Sequence, residues 1–580
     1  TGQRNTAIGF KSQEATTTPR YNTSVGSYSL YTNTTGEWNT AIGDAALAQN
    51  TTGSNNCAVG QQALYTNSTA NDNSAFGTFA LANGTTATQN VGVGCSALGA
   101  ITTGGGNVAV GWYAGKSATT SSQNTYIGYR AGRDGNASDV TYIGYDSGIH
   151  ATGSSNTAVG HRTMDASSCT GSNNTAIGRE NLGALTTGAN NATLGYFAGH
   201  DITTGSQNTA LGYNSLASST GANENTAIGA NSLTNITTGS YNVGVGNSAL
   251  ATASTSTENV AMGWGALRVT TTGNQNTAVG TYALYNVTTA DGNTALGKSA
   301  GYNVTTATNN VAIGRDALKS ITTSYGHVAI GYKALEDASG ATNVHVAVGY
   351  EAAKEVTTGW TCAVGYNAAR DTTTAHGNTV VGHNALTLAT GAHNTAIGYY
   401  AGYNVTTGTN NLLLGYNSGY SNAPSGQITT GSNIVCLGND DITDLYCADT
   451  SISSSDARDK TDIEDFTHGL SWIKELRPVT YRWDKRSWYV DEDDHMEDPS
   501  LPPEVISKKE PDGSKKRARL HIGFLAQEHL EVEKNHGFGD TPDNMLITNL
   551  SEDGQKYGMK YERLVPVLVN AIKELSAKND

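Results

Sequence analysis

A motif of the form N-[TV]-A-[IV]-G, varied at one or more positions in many copies, recurs 26 times between residues 5 and 438, its glycines mostly 17 residues apart. The run opens with Gly9, Gly26, Gly43 and Gly60 and closes with Gly398, Gly415 and Gly438. A helical repeat of this length needs helix formers. Each unit here reads N-T-A-I-G-x-x-A-L-x-x-x-T-T-G-x, with turn residues every few positions. The unit is therefore expected to be one coil of a parallel β-solenoid, and the body all-β. At roughly 4.8 Å of rise per coil, the repeats make a rod of about 120 Å, a spacer or a binding shaft.

Side chains alternate across a strand, so the second and fourth motif positions share one face. Both accept apolar residues, as in Val91 with Val93, Val108 with Val110 and Leu412 with Leu414. That pattern predicts that positions two and four line the coil interior, with Cys57 and Cys362, at position two, as small core residues. The third position is nearly always Ala or Gly. It is expected to face outward, small enough for another subunit to approach. Asn at position one, aligned from coil to coil, predicts a ladder of amide hydrogen bonds along the stack. The six cysteines, Cys57, Cys95, Cys169, Cys362, Cys436 and Cys447, show no CxxC pair and no framework spacing, which predicts free buried thiols and a reducing compartment of assembly. N-x-T sequons follow by chance from an Asn/Thr-rich repeat.

Of the 83 charged side chains, 38 fall in residues 1–450 and 45 in the last 130, which sets a nearly uncharged body against a charged C-terminal domain. The net charge of -15 argues against nucleic acid as a partner. The basic cluster "KKRAR" (Lys515 to Arg519) lies beside "PDG" and reads as a solvated loop. No apolar run approaches the ~20 residues of a membrane helix, so no membrane insertion is expected. The chain opens inside a repeat with neither Met nor a signal peptide, which implies a preceding N-terminal part through which other proteins would attach.

Over about residues 1–440 the body resembles the head of trimeric autotransporter adhesins, whose N-S-V-A-I-G repeats build left-handed parallel β-rolls. The resemblance implies that handedness and a homotrimer; the 17-residue period departs from the family's.

The end of the chain carries four further motifs in order: "SDARDKTDI" (Ser455 to Ile463), "LRPVTYRW" (Leu476 to Trp483), "HIGFLAQE" (His521 to Glu528) and "YERLVPVLVNAIKELSAK" (Tyr561 to Lys578). Together they resemble the intramolecular chaperone domain of phage tailspikes and fibres, the self-cleaving peptidase family typified by endosialidase tailspikes. The resemblance assigns Ser455 as nucleophile, Lys460 as base and Ser455-Asp456 as the scissile bond. The chemistry suits the residues: a serine hydroxyl needs a neighbouring base, and a lysine serves once desolvation lowers its pKa. Attack by a serine on its own carbonyl is awkward, which leaves open an N-to-O shift at the preceding bond or attack across the trimer. Read without the other motifs, Ser455 is equally a helix N-cap. Arg458, Gln527 and Glu528 are expected to support the site. Tyr561, Leu564, Leu568, Ala571 and Leu575 follow a three-four spacing that predicts a trimeric coiled-coil helix. The expected domains are a β-solenoid shaft over 1–440, a neck with the cleavage site over 441–455, and a small α+β chaperone domain over 456–580.

An aromatic follows the motif glycine in many coils, Tyr332, Tyr350, Tyr366, Tyr399 and Tyr416 among them. These rings are expected to stack from coil to coil, with glycan contact as the second reading. His327 and His345 occupy the Asn position without an HxH or HExxH pattern, so no metal or cofactor is expected. The functional reading is a virion tail fibre or tailspike adhesin, assembled in the host cytoplasm, that attaches to a host-surface glycan or protein. Its only enzymatic act would be its own cleavage. A polysaccharide depolymerase is the alternative; it needs paired carboxylates about a cleft, and those of the body are scattered. Ice binding fails because the recurring Thr pairs are adjacent and point to opposite faces.

Overall fold

The computed structural model describes residues 2–338, 344–374, 376–420, 422–442, 460–485, 511–551, 554 and 556–579. It forms two compact units, Thr1–His327 and Val328–Asp580. In the first, strands β1 (Thr6–Ile8) to β19 (Val311–Ile313) pair in parallel, one strand per motif. The register is that of the repeat: Thr6, Ala7 and Ile8 lie beside Thr23, Ser24 and Val25, and so on along the stack. The second unit continues the pattern with β20 (Val328–Ile330) to β26 (Val435–Leu437) and then carries the C-terminal region.

The coil is held by its backbone. After each strand, left-handed residues alternate with others, as at Ala45 and Leu47 or Gln62 and Leu64. The two left-handed residues send their N–H groups in opposite directions along the stack, and the residue between them bonds within its own coil (Ala63 N to Gly60 O, 3.3 Å). Gln62 N donates to Asp44 O in the coil before (2.9 Å) and Leu64 N to Ala80 O in the coil after (2.9 Å). Each left-handed non-glycine residue is unfavourable by itself, and the hydrogen bonds it permits offset that cost. The motif glycine has no such latitude. Gly60 sits at φ +138°, and a Cβ there would lie 2.5 Å from Gly77 O.

The strand faces are the reverse of the sequence expectation. The third motif position points into the coil: Ala41, Ala58, Ala75 and Ala109 are fully buried. Positions two and four are half-buried or exposed, and Ile228 keeps 36% of its surface. Cys57 and Cys362 share that outer face and are half-buried rather than core residues. The reason is the thinness of the coil. In many coils a leucine stands four residues past the motif glycine (Leu47, Leu64, Leu81, Leu98), and it is buried. It fills the space beneath position three of the next coil: a Cβ on Gly92 would lie 3.3 Å from Leu81 Cγ. Position three is small because the core is narrow. Where it is large, the opposing leucine is absent. Tyr126 and Tyr142 are buried there, and Gly115 and Gly132 stand where Leu would, a Cβ on either falling within 3.2 Å of Tyr126 and Tyr142 respectively.

The amide ladder is present. Asn39, Asn56, Asn73 and Asn90 are buried. Each backbone N–H donates to the preceding Asn Oδ1 (Asn56 to Asn39, 3.0 Å), and each Nδ2 to a backbone carbonyl (Asn56 to Ala70, 2.9 Å). His327 and His345 take the same position and are equally buried; burial lowers the His327 pKa to about 4. Of the cysteines, Cys169 and Cys436 are buried, and burial pushes the Cys169 thiol up to about 11. Cys447 lies outside the described residues.

Candidate functional site

The C-terminal region is built on a different plan. A short helix α1 (Leu470–Glu475), an antiparallel pair β27 (Val479–Tyr481) and β28 (His521–Gly523), and helix α2 (Ala526–Asn535) are followed by a second pair, β29 (Thr548–Leu550) and β30 (Tyr557–Met559), and helix α3 (Leu564–Asn579). Its core is aromatic and aliphatic: Trp472, Val532, Ile547, Leu564 and Val567, with Phe466, Phe524 and Phe538 packed against them.

Three of the four C-terminal motifs meet here. Tyr481 pairs with His521 across β27 and β28. Arg477 Nε donates to Glu528 Oε2 (3.0 Å), tying the second motif to the third. This contact holds the Glu528 carboxyl below its ordinary range. Phe524 N donates to Tyr561 Oη (3.0 Å), tying the third to the fourth. A small pocket lined by Glu475, Arg477, Phe524, Leu525, Glu528 and His529 lies between α1 and α2. Gln527 is exposed and outside that lining. Of the first motif, Lys460 is described and exposed, whereas Ser455, Asp456 and Arg458 lie outside the described residues.

Sequence reasoning missed one heavily bonded buried group of the described residues. Glu533 is fully buried and accepts hydrogen bonds from Leu546 N (2.9 Å), Ile547 N (3.0 Å), Thr548 N (2.6 Å) and Thr548 Oγ1 (2.8 Å). His529 Nδ1 stands 3.2 Å from its Oε1, one helical turn earlier. Burial alone would raise the Glu533 pKa; the hydrogen bonds from His529, Thr548 and Leu546 outweigh it and bring the pKa down to about 2. The i,i+4 pairing of His529 and Glu533 on an otherwise apolar helix face was the available signal.

Helix α3 divides the predicted coiled-coil residues between two faces. Leu564 and Ala571 are buried against their own domain, where Glu574 Oε2 also accepts from Leu470 N (3.1 Å). Tyr561, Leu568 and Leu575 are exposed, together with Val565 and Ile572. With Tyr561 of the turn before the helix, 565, 568, 572 and 575 form a four-three row one step out of phase with the expected one, and Val569 is exposed beside it.

On the solenoid of the second unit the aromatic row is continuous. Centroid distances are 4.9 Å for Tyr332–Tyr350 and for Tyr350–Tyr366, 4.8 Å for Tyr366–His383, 5.0 Å for His383–Tyr399 and 5.6 Å for Tyr399–Tyr416. His383, not singled out from the sequence, completes the row. The planes lie within 28° of one another, so the rings turn their faces to each other and their edges to solvent. This is the geometry of a structural stack; a sugar that packs on ring faces would have to part it.

Among the described residues there is no group of three or more His, Cys, Asp or Glu side chains that could hold a metal, and no helix is long and apolar enough to cross a membrane. Residues 455–538 match the family model described as chaperone of endosialidase. No curated protein and no solved structure matches the chain.

Proposed function

We propose that this chain is a virion attachment fibre or tailspike: a homotrimer whose solenoid contacts a host-surface glycan or protein, and whose C-terminal domain registers the three chains and is then cut away. The observation that carries the reading is the union, in one chain, of a long parallel β-solenoid with a chaperone-of-endosialidase domain, a pairing that fits a tail-fibre- or tailspike-like protein. Two exposed apolar rows support self-association. One is the fourth motif position (Ile42, Phe76, Ile127, Ile177, Leu211, Ile228), repeated coil after coil; the other is the outer stripe of α3. Rows of this kind on a soluble protein are usually covered.

A uniform solenoid has reason to need such a domain. Identical coils mispair in register at little cost, and docking three chains in step is slow because its contacts are intermolecular. A trimerising C-terminal domain sets the register first. Its removal closes the way back and makes the assembly kinetically stable. In this reading the Ser455 Oγ, its proton taken by Lys460, attacks the Ser455 carbonyl of another chain of the trimer; the Asp456 amine leaves with the proton from Lys460, and water then hydrolyses the ester, so the cut falls at Ser455-Asp456. Solenoid carboxylates engaged by neighbouring cations, such as Asp146 with Arg130 and Asp371 with Arg370, favour a fibre over a depolymerase.

A denaturing gel tests the processing step. Wild type separates into a body ending at or beside Ser455 and a fragment of about 125 residues. Ser455→Ala and Lys460→Ala each keep the chain whole. Cleavage of Ser455→Ala at the same junction transfers the role to an external protease acting on an exposed linker.

A further inference from the structure

The last coil differs from the others. Its motif glycines, Gly415 and Gly438, are 23 residues apart instead of 17, and the extra residues form a loop that includes Ala423 and Gly426. Asp440, in the turn that follows β26, is tied to this loop by its own backbone N–H, which donates to Asn422 O (2.8 Å). Asn439 braces the turn from within: its Nδ2 donates to Asp441 Oδ2 (2.8 Å) and its Oδ1 accepts from Asp441 N (3.2 Å).

Two lysines of the C-terminal domain close on this turn. Lys556, just before β30, places Nζ 2.8 Å from Asp440 Oδ2 and also donates to Ala423 O. Lys485, in the segment after β27, donates to Asp440 O. The contact is sheltered: the Asp440 side chain keeps 14% of its surface and Lys556 25%. Burial lowers the Lys485 pKa against the opposing pull of Asp440 and Asp441. A charge-assisted pair with this much shelter holds more firmly than a surface pair.

We propose that Lys485 and Lys556 form a clamp on the terminal turn of the solenoid, a non-covalent tie between the C-terminal domain and the last coil. The lengthened coil exists to seat it: Ala423 O and the Asn422 support for Asp440 both come from its added loop. The tie holds the domain at the solenoid end during assembly. Its role after cleavage rests on the processing reading above: Asp440 stays with the body, Lys485 and Lys556 leave with the fragment, and breaking the clamp sets the rate of release.

Hydrogen exchange on full-length Ser455→Ala protein reads the clamp without any cut. In that protein, Lys556→Glu speeds exchange of the amides of Asp440 and Ile442 by about tenfold, and adding Asp440→Lys to Lys556→Glu restores protection. Unchanged exchange in Lys556→Glu overturns the clamp. The second arm uses wild-type protein after processing. The fragment co-elutes with the body at low salt and separates as salt rises, whereas with Lys556→Glu it separates at low salt. Salt-independent co-elution of both also overturns the clamp. A wild-type chain that stays whole on a denaturing gel removes the processing reading and leaves the exchange result to stand alone.

Discussion

The solenoid and the C-terminal domain solve the same problem with opposite means. The solenoid has a thin core of Ala, Leu and Asn and is held chiefly by backbone and amide hydrogen bonds repeated at every coil. The C-terminal domain gathers Trp472, three phenylalanines and several large aliphatics into one core and satisfies a buried charge, Glu533, with five neighbouring donors. A defect in the first is felt by the coils on either side, because each coil contacts only its neighbours. A defect in the second is felt by the whole domain. Both leave an apolar row uncovered.

A charge placed on either side of one solenoid strand is expected to have the largest effect. Ala227→Asp places a carboxylate at a fully buried position and is expected to cost several kcal/mol, enough to melt the adjacent coils. Ile228→Asp sits on the outer face: it leaves the coil folded and weakens assembly instead. Thermal melting and light scattering on the two variants separate the effects, and equal melting losses would reject the assignment of faces.

A second test asks whether the solenoid core is a matched pair of positions. Tyr126→Ala empties a fully buried ring site and is expected to cost about 3–5 kcal/mol. Adding Gly115→Leu restores the Ala–Leu pairing of ordinary coils and should recover most of the loss, read as a double-mutant cycle by chemical denaturation. In the wild-type background Gly115→Leu should be destabilising, because a Cβ there already lies 2.6 Å from Tyr126 Cδ2.

The smallest effect belongs to the C-terminal domain. The Glu533 pKa in the folded state, about 2, is below its value in the unfolded chain. Its contribution is therefore fully present above the ordinary glutamate range near pH 4.5 and is lost as pH falls toward about 2. Exchange protection in Leu546–Thr548 should fall over that window while solenoid amides do not follow it. Glu533→Gln should weaken the domain by about 1.5–3 kcal/mol and flatten the pH dependence.

Much of this was readable in the sequence, for identifiable reasons. A period of mostly 17 residues with a glycine at each strand end fits a stacked coil, and the Asn ladder follows from that alignment. The faces were not readable from alternation, which separates two sides without saying which is inside. The available signal was the Leu that stands four residues past many of the glycines and gives way to Gly115 and Gly132 in the coils that precede Tyr126 and Tyr142, a correlation between positions rather than a pattern at one. In the C-terminal domain, four motifs in order pointed to the chaperone, and the structure joins three of them. The phase of α3 escaped because Leu564 and Val565 are both apolar and only packing decides which turns inward. Glu533 escaped because a glutamate in a charged helix resembles its exposed neighbours until the loop it anchors is in place.

Native mass spectrometry of the purified wild-type protein reports both stoichiometry and covalent integrity in one spectrum. Three copies of a body whose C-terminus lies at or beside Ser455 are expected, together with a separate fragment of about 125 residues. A stable monomer of the whole chain contradicts the trimeric, self-processed fibre.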